Sequence, residues 1–353
     1  MHMADALLSP AVGVTLWAAS AGTLAWCSKR LRTDPRDHLV PLMGVLGAFV
    51  FAAQMINFTI PATGSSGHIG GGLLLSILLG GPAAFIVIAS VLTVQALFFA
   101  DGGLLALGTN IFNLGIFPCF IAYPLIYRPL VKAAGASPSR NRLALITVLA
   151  TVTGLQMGAL GVVIETQLSG ISSLPLSTFL LLMQPIHLAI GLVEGLATAA
   201  IVAFIHGARP DLVDVDSATA GRATAGFPTR IVALFAVLAL ATGGLLSWFA
   251  SSHPDGLEWS IEKVTGKGEV EAEDDIHQTF AQLQQRIAPM PDYKFAQPEQ
   301  AAADGASEAK TEEAWPAVDA GTSTAGVLGG LGTLVLVMAV GLLLRPRRAR
   351  ADD

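Results

Sequence analysis

Residues 179–206 read FLLLMQPIHLAIGLVEGLATAAIVAFIH, and this stretch decides the fold class. Its only formal charge is Glu194. Wound as an α-helix it reaches about 42 Å, more than the roughly 30 Å hydrocarbon core of a bilayer. Working outward, further apolar segments fall at 11–28, 39–58, 69–81, 83–99, 111–128, 143–164, 230–250 and 324–344. The chain of 353 residues is 53% hydrophobic and only 13% charged, where a soluble domain carries about 25% charged residues. Its mean hydropathy is +0.62. These figures exclude a pair of soluble domains, a disordered chain and a collagen. Cys27 and Cys119 both lie in apolar runs, which leaves neither a disulfide framework nor a cysteine-rich zinc site. The expectation is an all-α polytopic membrane bundle of nine segments. Segment 69–81 is short for a span, and Gly80-Gly81-Pro82 parts it from the next, so it reads either as a span or as a re-entrant piece.

Charge placement orients the chain. Lysine and arginine follow the first segment (Lys29, Arg30, Arg32, Arg36), the fifth (Arg128, Lys132, Arg140, Arg142) and the seventh (Arg209, Arg222, Arg230), and recur at Arg345, Arg347, Arg348 and Arg350. Stretches 59–68, 100–110 and 165–178 carry none. Positive residues in short loops mark the cytoplasmic side. The N-terminus is then outside and the C-terminus inside, which requires an odd number of spans. Seven plus two is the natural division: a core at 1–207, a polar cytoplasmic linker at 208–229, and a two-span module at 230–353 with an outside loop at 251–323. That loop holds fifteen acidic residues against five basic ones, with helical promise at 271–286. No basic region precedes the first apolar run, so no cleaved signal peptide is expected. His2 is bulky, so Met1 is expected to stay.

An outside terminus beginning Met1-His2 is chemically informative. The α-amine, the His2 backbone nitrogen and the His2 imidazole can close adjacent chelate rings on one ion. A deprotonated amide nitrogen suits metals that favour a square plane, such as Ni(II) or Cu(II). His68, in the glycine-rich outside stretch Thr63-Gly64-Ser65-Ser66-Gly67-His68-Ile69-Gly70-Gly71-Gly72, is the best supplier of a fourth nitrogen. A histidine in a glycine-rich loop also has an ordinary reading, as a hydrogen-bonded structural residue. Asn110, Asn113, His187 and Glu194 are polar groups at membrane depth. They read either as groups that orient metal ligands or as interhelical hydrogen bonds. No phosphate loop, H-E-x-x-H, G-x-S-x-G or C-x-x-C occurs. The chain carries no visible catalytic constellation, and its basic residues sit at membrane edges, which accounts for them without nucleic acid.

Met1-His2-Met3-Ala4-Asp5-Ala6-Leu7-Leu8-Ser9-Pro10 closely resembles the start of the CbiM/NikM family, the substrate-specific membrane components of energy-coupling-factor ABC transporters for cobalt and nickel. The G-S-S-G-H segment ending at His68, the A-L-G-x-N-x-x-N run at 106–113 and H-L-x-I-G-x-x-E-G-L-x-T at 187–198 agree with it over about residues 1–207. Ala6 stands where the family more often has glycine. His253-Pro254-Asp255-Gly256-Leu257-Glu258 is similar to the PDGLE signature of the small CbiN/NikN-type component. The resemblance implies a metal-capture subunit fused to an N-like module, lodged in the inner (plasma) membrane. It implies Co(2+) or Ni(2+) as cargo, no prosthetic group, and a metal held by Met1, His2 and His68. It also implies partners absent from this chain: a CbiQ-like transmembrane coupling protein and CbiO/NikO-like ATPase subunits. The competing expectation is a self-sufficient secondary divalent-metal transporter, which would need coupling groups near the midplane and two related halves.

Overall fold

The computed structural model describes residues 2–34, 36, 39–135, 138–213, 228–268, 270, 274–295 and 315–344. Met1, most of the linker at 214–227 and loop residues 296–314 lie outside them. The elements are α1 Pro10–Leu31, α2 Leu39–Gln54, β1 Phe58–Ile60, β2 Ser65–Gly67, α3 Gly72–Leu79 and α4 Gly81–Phe99. They continue as α5 Leu107–Ala133, α6 Arg140–Ser169, α7 Leu176–Ala208, α8 Thr229–Gly244, α9 Gly256–Thr265, α10 Asp275–Ile287 and α11 Ala320–Leu344. Six helices (α1, α4, α5, α6, α7 and α11) are long and apolar enough to cross a membrane, and α2 and α8 are shorter apolar helices.

Two features differ from the sequence expectation. Segment 69–81 yields only the eight-residue α3, about 12 Å long, so α3 alone does not cross a bilayer. Its glycines are the reason. Gly71 (φ 76) and Gly80 (φ 84) take left-handed conformations that end the helix at both sides. The fold is also not purely helical. Phe58–Ile60 pairs antiparallel with Ser65–Gly67, with Pro61 and Gly64 in the intervening turn. The remaining segments are helical, and of the promise at 271–286 the described part forms α10, Asp275–Ile287; residues 271–273 lie outside the described residues.

Helix α2 is buried on every face but one position, Pro41, and is apolar all round, as a central helix must be. It packs against α8 and α11, so the C-terminal hairpin shares the core of the bundle. Glycine permits the close approach. A Cβ on Gly329 of α11 would meet the Phe51 ring at 2.0 Å, and one on Gly326 would meet the Gly243 carbonyl oxygen of α8 at 2.2 Å. Helices α6 and α7 pair along their length, and α5 lies against α6. Inside α5, Pro118 and Pro124 fall in a stretch of wider π-type turns, Phe112–Tyr127. That geometry accommodates the missing proline N–H.

One end of this bundle gathers the irregular segments. The N–H of Ser251 donates to Asn57 O (2.7 Å), that of Ser66 to Pro254 O (2.8 Å) and that of Met290 to Phe98 O (3.1 Å). The other end has Arg36, whose Nη2 donates to Leu79 O at 2.8 Å.

Candidate metal centre

The N-terminal peptide is fastened through its main chain. Asn110, at the start of α5, accepts from Met3 N (2.8 Å) and donates to Met3 O (3.2 Å). Gly103 N donates to the same carbonyl at 3.0 Å. Asp5 Oδ1 accepts from Ala106 N at 2.8 Å. Gly103 is required there, because a Cβ would come within 1.8 Å of Asp5 Oδ1. Met3, Leu7 and Leu8 are fully buried beneath. From the other side His277 of α10 donates through Nε2 to Leu8 O at 2.8 Å.

His2 emerges from this clip. Its Nδ1 lies 2.8 Å from Asp101 Oδ1, and its Nε2 is buried with no hydrogen-bond partner. Asp101 Oδ2 accepts from Tyr293 OH at 2.5 Å. Burial alone would raise the Asp101 carboxyl, but the contacts with His2 and Tyr293 hold it well below the usual carboxylate range.

The His68 loop is held from deep in the bundle. Glu194 of α7 accepts from Gly70 N (3.0 Å) on one oxygen and from Gly71 N (2.8 Å) on the other. Gln54 Nε2 donates to Gly70 O (2.9 Å), and Gln95 Nε2 donates to Gln54 Oε1 (2.9 Å). The His68 ring therefore stands at a fixed height, its centroid 5.0 Å from that of His2. Its Nδ1 faces Ile69 O at 3.4 Å and its Nε2 faces Asp255 Oδ2 at 4.0 Å. Burial lowers its pKa to about 3, so it is neutral and able to coordinate at any ordinary pH.

Above the two rings lies a cavity of about 570 Å³, lined among others by His2, His68, Asp101, Asp255, Glu258 and Tyr293. Among the described residues no group of three or more His, Cys, Asp or Glu side chains is arranged to hold a metal ion.

The structure brings together His2 and His68, with Asn110 and Glu194 directly behind them; Met1 lies outside the described residues. Asn113 does not join. Its Nδ2 donates to Glu165 Oε2 at 2.6 Å, a bond between α5 and α6. His187 does not join either. Its Nδ1 bonds Met183 O (2.8 Å) and its ring backs onto Gly256, where a Cβ would lie 3.0 Å from Cε1. Asp101, Tyr293 and Asp255 escaped sequence reasoning. Asp101 had a signal, being the only Asp, Glu, Lys or Arg between 38 and 127. Tyr293 had none. Asp255, one of the fifteen acidic residues of the outside loop, lies 4.0 Å from His68 Nε2 through its Oδ2.

The family model described as the cobalt uptake substrate-specific transmembrane region matches residues 2–212, and the PDGLE domain matches 229–346. A fused nickel transport protein NikMN of Rhodobacter capsulatus is 29% identical over 83% of this chain and 88% of its own. A cobalt transport protein CbiM of Sorangium cellulosum is 31% identical over 61% of this chain and 95% of its own. Among solved structures, a truncated transition metal transporter superimposes with a TM-score of 0.52 at 30% identity, covering 59% of this chain and 99% of that one.

Proposed function

The chain belongs to the cobalt-uptake substrate-specific transmembrane family, here fused to a PDGLE domain, and from that premise we propose that it captures Co(2+) or Ni(2+) for an energy-coupling-factor importer. The metal is bound by the Met1 amine, the His2 backbone nitrogen and imidazole, and the His68 imidazole. The observation that carries this reading is the facing pair of buried rings, 5.0 Å apart, with the His2 peptide and the His68 loop each fixed by buried hydrogen bonds. The nitrogen of His2 that closes a six-membered ring with its own amide is Nδ1. That atom bonds Asp101, so binding the metal through it exchanges a hydrogen bond for a metal bond.

In this reading residues 1–207 form the capture core, 208–229 the linker and 230–353 the PDGLE module. The core crosses the inner (plasma) membrane seven times. The extended run before α3 and α3 itself complete one crossing together, which the Arg36–Leu79 contact at its far end supports. The N-terminus and the loops of the metal end face outside, in keeping with their lack of short-loop lysine and arginine. ATP hydrolysis and coupling belong to separate CbiO/NikO-like and CbiQ-like subunits. The module, bonded to the His68 loop and to Leu8, governs loading or release.

The test compares the full chain with a free terminus, confirmed by intact mass, against the same chain carrying an uncleaved N-terminal tag. The tag, His2→Ala and His68→Ala should each abolish equilibrium Ni(II) and Co(II) binding while helical content stays unchanged. Binding should weaken on acidification, because the ammonium and the amide must lose protons. Unchanged affinity behind the tag would sink the chelate. Uptake that persists without ATPase partners would favour the secondary transporter instead.

A further inference from the structure

At about 3.6 residues per turn, helix α10 presents three faces. Its core face carries His277 and Gln284, both buried. His277 Nε2 donates to Leu8 O, and Gln284 Nε2 donates to Ala96 O (3.0 Å) and Gly102 O (2.6 Å). A polar face carries Gln278, Gln282, Gln285 and Arg286, all exposed. Between them runs a third stripe, Ile276, Phe280, Leu283 and Ile287, at the i, i+4, i+7, i+11 spacing of one helix side. Ile276 is 50%, Leu283 47% and Ile287 43% exposed, and Phe280 is half-buried. The polar face already meets water, and a contiguous apolar stripe beside it calls for a different covering.

We propose that this stripe docks on the lipid bilayer, at the boundary between headgroups and acyl chains, in the leaflet at the metal end of the bundle. That leaflet is the outer one in the topology proposed above, on which the inference rests. Depth is the first reason. Helix α4 has 19 residues, about 28 Å of helix against a hydrocarbon core of roughly 30 Å, so its last turn marks the bilayer edge. Gln284 bonds the carbonyl of Ala96 in that turn, and Met290, just past α10, bonds the carbonyl of Phe98. Helix α10 is thereby held at the level of the headgroups, a layer of about 5–8 Å. Continuity is the second reason. Phe98 is 44% exposed, and it carries the apolar outer surface of α4 to the C-terminal end of α10. Composition is the third. Residues 296–314, which follow, contain no Leu, Ile, Val, Met, Phe, Tyr or Trp, so that segment has little apolar surface with which to cover the stripe. An apolar stripe flanked by a glutamine- and arginine-bearing face is the pattern of a helix lying in the interface plane. The consequence is mechanical. The same helix holds Leu8 O through His277, so the bilayer steadies the clamp over the N-terminal peptide.

The experiment attaches a nitrobenzoxadiazole fluorophore to the full-length chain through Ile276→Cys, Leu283→Cys or, on the polar face, Gln282→Cys. The proteins sit in phosphatidylcholine–phosphatidylglycerol nanodiscs, where both membrane faces meet solvent. The native Cys27 and Cys119 are buried, and the chain without an added cysteine gives the background labelling. Two quenchers are compared, a nitroxide carried high on the lipid acyl chains and iodide in the water. Nitroxide should quench the two stripe positions at least about twofold more strongly than Gln282, and iodide should quench them correspondingly less. Equal iodide quenching at all three positions would overturn the proposal, because the stripe would then stand in water. Protection of both stripe positions from both quenchers would overturn it as well, because protein, such as a second copy of the chain, would then cover the face. A label at Phe98→Cys reports the end of α4 independently. If nitroxide leaves that label unquenched, the span itself is misplaced and the proposal falls with it. If nitroxide quenches Phe98 and not the stripe, the span stands and only the interfacial helix fails.

Discussion

His2 and His68 face each other but are held by opposite means. The His2 arm is a peptide gripped through its main chain by residues that begin α5, with both amide groups of Met3 bonded to one asparagine. The His68 arm is a glycine-rich loop with little grip of its own, fixed by a carboxylate lying 124 residues along the chain. Both are positioned by the tertiary fold, but the first by several separate bonds and the second chiefly by one carboxylate that takes two N–H groups. Damage to the two arms should therefore differ in size and kind.

The largest effect is expected at Glu194. Replacing it with alanine leaves the N–H groups of Gly70 and Gly71 unpaired in a buried setting. At about 1–3 kcal/mol for each such group, the pair costs several times thermal energy. The loop should relax, nickel binding should be lost, and thermal unfolding should occur at lower temperature. Glu194→Gln keeps one strong acceptor and should fall between. Wild-type affinity in Glu194→Ala, measured by equilibrium binding, would mean that Gln54 and the module hold the loop without it, the module through Ser66, His253 and Pro254.

Asn110→Ala should be milder. It removes two bonds to Met3, but Gly103 N and the Asp5–Ala106 bond still hold the peptide. A net loss of about 1–2 kcal/mol corresponds to about tenfold in metal affinity, with little change in unfolding temperature. Asn110→Asp accepts from Met3 N but cannot donate to Met3 O when ionised, so it should be intermediate. If Asn110→Ala destabilised the chain as much as Glu194→Ala, the contrast between an arm with several holds and an arm with one main hold would fail.

What the sequence made legible divides along a different line, between local and tertiary determinants. Long apolar segments announced most of the helices, because hydrophobic length is a local property. The proposed N-terminal chelate could be read from sequence for the same reason: three of its donors would belong to two consecutive residues. The brevity of α3 was half visible in its flanking glycines, but the depth at which it begins depends on Glu194 and Gln54, partners on other helices. His187 and Glu194 share a helix face by spacing, yet only Glu194 reaches the His68 loop; His187 backs onto Gly256. The PDGLE signature was legible as a motif. Its placement beside His68 was not, since a backbone bond between residues 66 and 254 has no local signature. Loop composition suggested diffuse acidity, whereas folding sets Asp255 beside His68 and fixes it in a capping box with Glu258.

The smallest effect is expected where the module touches the His2 arm. Tyr293 stacks on Phe99, with ring centroids 4.7 Å apart and planes 11° from parallel, and its hydroxyl donates to Asp101 Oδ2. Asp101 in turn holds His2 Nδ1, the atom that the proposed chelate would have to free. A donated hydrogen bond disperses the charge on Asp101 and weakens its hold on the imidazole. Tyr293→Phe keeps the stack and removes the hydroxyl that donates to Asp101, so Asp101 should grip His2 more tightly. One neutral-donor bond contributes about 1 kcal/mol, so metal association should slow by about fivefold or less. Dissociation should be unchanged, because the loaded His2 no longer bonds Asp101. Stopped-flow loading and chelator-driven release measure the two rates separately. Faster association in Tyr293→Phe would reverse the argument, making Tyr293 an anchor that holds Asp101 against His2. Equal rates would show that the His2 arm answers only to the core, and that the module acts on the metal through His68 alone.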